Sequence, residues 1–141
     1  MKRISFLLFA AITVLLFASV SVRAADFKVI ANDSVGASAI SGEELKGVFL
    51  LTKNSLADGS HAVPVLLKGG AAHEAFLREL GKTDAALQVY YRSLVFTGKA
   101  SMPKTVASDS EVVAFVVKTK GAIGYVSAGA IAPGAKTLEV K

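Results

Sequence analysis

The sequence predicts a three-layer α/β domain built on a mixed sheet. Three observations carry that expectation. Apolar, β-branched runs alternate with segments of helical periodicity in the order β-α-β-α-α-α-β-β. Two of the helical segments open with the Ser-x-x-Glu form of a capping box, at Ser41–Glu44 and Ser108–Glu111. A third signal is "KTKGAIGYVSAG" (118–129), which sets Gly121 and Gly124 around one isoleucine where a helix gives way to a strand.

The chain opens with Met1-Lys2-Arg3, an apolar run to Val22 and the small-residue exit Val22-Arg-Ala24. That layout describes a secretory signal peptide over 1–24, cleaved after Ala24, and places the protein in the periplasm. An uncleaved anchor is the competing reading, since the run approaches the ~20 residues needed to span a bilayer. The remaining 25–141 suffice for one domain with its own core.

Each element has a local reason. "FKVIAND" (27–33) is a β-branched strand ending in a turn pair. After a small, polar loop, Ser41 caps a helix over 42–51 whose stripe is Leu45, Val48 and Phe49. "AVPVLLK" (62–68) is a strand apolar enough to be buried on both faces, with its proline at the start. "GGAAHEAFLREL" follows directly, its helix stopped by Gly81. Thr83 or Asp84 can cap a third helix, 84–96, with Leu87, Tyr90 or Tyr91, Leu94 and Val95 inward. After a loop at 97–105, the fourth helix uses Val112, Val113, Phe115 and Val116. Gly121 should end it in the left-handed conformation, at no Cβ cost. "AIGYV" (122–126) is a central strand in which Gly124 leaves room for a close approach. "KTLEV" (136–140) is the last strand.

Composition excludes several functions. Lys2, Arg3 and Arg23 leave with the signal, so 13 basic residues face 11 acidic ones, a net charge of only +2. Nothing in that balance suggests a nucleic-acid partner. With no cysteine there are no disulfides, thiolate nucleophiles or cysteine-ligated metals. His61 and His73 have no metal-ligand spacing and read as ordinary surface or helix-start side chains. No cofactor motif appears, and no nucleophile, base and orienting group share a motif, so an enzyme is not expected.

Three stretches, in order, carry a resemblance. "GEELKGVFL" (42–50) resembles the L-x-x-I-F-L-G helix of periplasmic phosphate-binding proteins, the solute receptors of phosphate ABC transporters. "VPVLLKGGAAHEAF" (63–76) occupies the place of their strand, Gly-Ser-Gly-Thr loop and helix. "EVVAFVVKTKGAIGYV" (111–126) resembles their V-x-x-F-V-x-x-T-P-G-S-I-G-Y-V. "YYRSLVFTGKASMP" (90–103) is similar to a segment of short, standalone phosphate-binding-like proteins. The resemblance implies a single lobe of a type II periplasmic binding protein, α/β/α with a mixed sheet, carrying the phosphate loop.

On that resemblance the loop falls on Gly69-Gly70-Ala71-Ala72, without the two hydroxyls, and the family's arginine falls near Leu66 with only Lys68 close by. What remains is main chain at a helix start, which attracts anions weakly. The expected contacts are Lys68 and the N–H groups of Gly69, Gly70, Ala71, Ala72 and His73. Ser34, Ser38, Thr97 and Lys99 join them if their loops share that sheet edge. Lys68 and Asn32 both follow strands, and ligands of open α/β sheets bind beyond carboxyl ends. Restoring hydroxyls through Gly70→Ser and Ala72→Thr should tighten phosphate if the loop keeps its geometry. The expected partners are phosphate or another small anion and a membrane transporter or sensor protein, with a homo-oligomer as a further possibility. The competing readings are a tight Gly-Gly turn without ligand, or an interaction or sensor-accessory domain using "AIGYVSAGAIAPGA" (122–135) as its surface.

Overall fold

The computed structural model describes residues 26–141. The expected signal peptide, 1–24, lies outside the described residues. The elements run β1 (Phe27–Ala31), β2 (Ala39–Ile40), α1 (Gly42–Phe49), β3 (Val63–Leu67), α2 (Ala71–Leu80), α3 (Asp84–Phe96), β4 (Lys104–Val106), α4 (Asp109–Lys118), β5 (Ala122–Ser127) and β6 (Lys136–Val140). All eight expected elements form. β2 and β4 are additional; at two and three residues, neither is long enough to show an alternating pattern.

One six-stranded sheet orders the strands β2-β6-β1-β5-β3-β4. β1 runs antiparallel to both its neighbours, β5 and β6, while the remaining pairs are parallel. The sheet is therefore mixed, and β1 points against the rest. On one face α4 covers β5: a Cβ on Gly124 would meet Val112, Val116 and Val65. On the other face Tyr125 stacks on Phe76 of α2 at 3.9 Å, and Phe49 of α1 meets Phe76 edge-on at 4.6 Å. Alternation along β5 thus separates the two helical layers. Such aromatic pairs add to the burial of the rings themselves.

Helix ends show where local rules held. Ser41 and Glu44 form the full capping box, Glu44 N–H donating to Ser41 Oγ at 3.1 Å and Ser41 N–H to Glu44 Oε2 at 3.2 Å. α1 stops at Phe49, two residues before the expected end. Leu51 takes the left-handed conformation (φ 61°), with Thr52 N–H on the Gly47 carbonyl and Leu51 N–H on that of Val48. That is a Schellman ending, usually marked by glycine, and a leucine hides it from a sequence reading. At α4 only half of the second box forms, because the Glu111 carboxylate accepts from Ala107 N–H at 2.7 Å rather than from Ser108.

The Gly121 expectation is corrected in place but not in conformation. α4 ends at Lys118 and Thr119 is extended. Gly121 is left-handed (φ 76°) as third residue of a turn closed by Ala122 N–H to Thr119 O at 3.2 Å. α4's last carbonyls are instead satisfied by a side chain: Asn32 Nδ2 donates to Val116 O at 2.7 Å and Val117 O at 3.0 Å.

Candidate functional site

β3 ends at Leu67, and Lys68-Gly69-Gly70 turns the chain into α2. Lys68 N–H still belongs to the sheet, donating to the Val106 carbonyl at 2.9 Å. The next five N–H groups, Gly69 to His73, find no acceptor among the described residues; Glu74 N–H is the first used, on Gly70 O at 3.0 Å. No side chain caps this helix start. Gly70 sits at φ 96°, ψ 173°, a region that essentially only glycine occupies. The expectation for Gly70→Ser therefore fails on backbone strain. Ala72 is buried, so a threonine there adds polar bulk to a packed interior rather than a hydroxyl to the loop.

Directly beneath the loop lies a chain of hydrogen bonds. His73 stands in the first turn of α2, as one of the two expected placements had it, but it is buried rather than on the surface. Its Nε2 lies 2.9 Å from Asp84 Oδ1 and its Nδ1 2.6 Å from the Tyr125 hydroxyl. Tyr125 Oη in turn accepts Leu67 N–H at 3.2 Å. One assignment satisfies every atom: Nε2–H donates to the carboxylate, the phenol donates to Nδ1, and Leu67 donates to the phenol. The network ties the last residue of β3 to α2, α3 and β5, and so fixes the turn from both sides.

Burial pushes the Tyr125 phenol well above its ordinary value, with the Leu67 N–H pulling the other way. Burial, then the neighbouring Tyr90, does the same to Tyr91. The folded state keeps both protons at pH values where the unfolded chain loses them. Their contribution to stability is complete below the ordinary tyrosine range and declines as pH rises through ~10 towards the folded values. Urea midpoints measured from pH 9 to 11.5 should fall accordingly, and a Tyr91→Phe, Tyr125→Phe double variant should lose most of that slope. Equal slopes in both proteins would contradict the assignment.

The remaining expected site residues do not gather here. Because β1 is antiparallel, Asn32 and Ser34 lie at the edge opposite Lys68, where Ser34 Oγ accepts Gly121 N–H at 2.9 Å. Asn32 is committed to α4 and to Ser34 N–H. Ser38 precedes β2, on the far side of β6, β1 and β5 from β3. Thr97 turns its hydroxyl back onto the Ser93 and Leu94 carbonyls of α3. Lys99 belongs to the loop that enters β4 at Lys104, level with Val65, whereas Lys68 lies past the other end of the strand. Lys68, Gly69, Gly70, Ala71, Ala72 and His73 are one contiguous segment. Sequence reasoning missed the roles of Asn32, Asp84 and Tyr125; their partners lie eleven to eighty-five residues away, beyond any local motif.

A mixed sheet with helices on both faces, and an N–H-lined loop leaving the carboxyl end of a parallel strand, define an open α/β domain of the kind whose ligands bind at such strand ends. Among solved structures the fold is that of phosphate-transport substrate-binding proteins. It matches an ABC-type phosphate transport receptor from Vibrio cholerae (TM-score 0.63, 15% identity, covering 82% of this chain and 46% of the receptor). It also matches PstS from Borrelia burgdorferi (TM-score 0.61, 16% identity, 82% and 47%). The chain thus spans under half the length of these proteins. Its sequence matches no protein-family model and no curated protein.

Proposed function

We propose that this chain binds small oxyanions, phosphate among them, as a periplasmic module of ABC-type phosphate transport. The observation that carries the reading is the row of unused N–H groups from Gly69 to His73, opening α2 in a fold shared with phosphate receptors. Lys68, adjacent to the loop in sequence, adds a positive charge. With main-chain donors and one exposed amine, the dissociation constant should be nearer millimolar than micromolar, about 4 kcal/mol rather than 8. Calorimetric titration with phosphate and with sulfate tests it. Both anions should bind, more weakly at high salt, and Lys68→Gln should weaken them further. Absence of binding at tens of millimolar would end this reading. Micromolar binding would show that a group other than the loop's main chain supplies the contact.

A further inference from the structure

β4 closes one side of the sheet, and among the described residues nothing pairs with its outer edge. Alternate residues of a strand turn their main-chain groups to the same side. Val106 O faces β3, where it accepts Lys68 N–H at 2.9 Å, so the N–H and C=O of Thr105 face the open edge. The outward positions on either side cannot pair in full. Pro103 has no N–H, and Ala107 N–H already donates to the Glu111 carboxylate at 2.7 Å. Thr105 is therefore the residue of this edge that can exchange both bonds with an added strand, which fixes the register of anything that docks there.

Beside that edge a groove of about 640 Å³ runs between β4 and α4, lined by Lys68, Lys104, Lys118 and Phe115. Lys68 stands at the carboxyl end of β4. Lys104 opens the strand, and Asn32 holds the end of α4, and with it Lys118, at that same amino end. None of the three lysines has a carboxylate within salt-bridge distance among the described residues. Glu111 is the one acidic lining residue, and Ala107 already occupies it. We propose that this edge docks an extended acidic segment of a partner protein, which adds to β4 as a seventh strand through main-chain bonds to Thr105. Lysine at both ends of a short edge opposes a second copy, since β4 against β4 would set like charges together. The same charge suits a partner with carboxylates two to four residues apart, which an extended chain carries on one face at spacings of ~7–13 Å. The chain's own residues 1–25 hold Lys2, Arg3 and Arg23 and no acid, so charge argues against them as the occupant.

The test titrates the capped peptide acetyl-Glu-Val-Glu-Val-Glu-Val-amide into the isotope-labelled full chain and follows its amide resonances. Binding should appear below about 1 mM, with the largest shift at Thr105. Two peptides of the same length separate the causes. One carries lysine in place of glutamate; the other keeps its glutamates but is N-methylated at every internal amide. Each should bind at least about ten-fold more weakly, the first through charge and the second through lost main-chain bonds. In the protein, Thr105→Pro removes the outward N–H and spares the bonds to β3, which fall to Lys104 and Val106. It should weaken the peptide about five-fold or more, whereas Thr105→Val, which keeps the main chain, should not. Urea midpoints of both variants are compared with the parent, and if the proline variant unfolds, the N-methylated peptide decides the point in the parent. Equal binding of either control peptide, shifts confined to the Gly69–His73 loop, or no binding at about 5 mM would overturn the assignment. So would self-association that Thr105→Pro abolishes, because a second copy would then be the occupant.

Discussion

Gly121→Val should destabilise the fold by more than about 3 kcal/mol, from two independent causes. A β-branched residue is strained at φ 76°, and its Cβ would lie 2.5 Å from the His61 carbonyl oxygen. That oxygen cannot yield, because it is backbone on the approach to β3, and Val63 N–H binds Gly121 O at 2.8 Å beside it. Gly81 separates the causes. It is also left-handed (φ 70°) but has nothing within 4 Å of its Cβ position. Gly81→Ala should cost only ~1 kcal/mol, and Gly121→Ala clearly more. Urea unfolding of the three variants measures this, and equal costs for the two alanines would mean that the close approach to His61 does not matter.

Gly124→Val should cost about 2–3 kcal/mol through packing alone. The backbone there is not left-handed. A Cβ would come within 2.6 Å of Val112 Cγ1 and 2.7 Å of Val65 Cγ1, so α4 must move away from the sheet. Trimming the obstruction tests the cause: adding Val112→Ala to Gly124→Val should recover part of the loss, giving a double variant less destabilised than the two single effects combined. Strict additivity would place the damage elsewhere.

Both glycines were legible in the sequence because each breaks a strong local pattern, and their neighbours were supplied by the structure. The same division runs through the fold. Helix starts at Ser41, Thr83 and Ser108 were readable, since a cap is decided within four residues. The end of α1 was not, because Leu51 takes a conformation that its side chain disfavours. The loop was found because Gly69-Gly70 interrupts an apolar run. Its supports could not be found: His73, Asp84 and Tyr125 meet only after α2, α3 and β5 have packed. Placing Asn32 and Ser34 near Lys68 failed for one reason. Strand direction is a property of the assembled sheet, and the β1 residues read equally well either way up.

The reversed central strand also has a consequence in time. β1 is the first described strand, yet its partners Tyr125 and Leu138 come roughly a hundred residues later, so that its pairing closes one of the longest loops available to the chain. Pairings so distant along the chain make folding slow. As the chain folds, Phe27 to Ala31 stays an unpaired apolar strand until β5 and β6 are in place, leaving the middle of the sheet open. The centre of this sheet is therefore completed only when β5 and β6 join β1, and until then the chain exposes an apolar strand prone to aggregation.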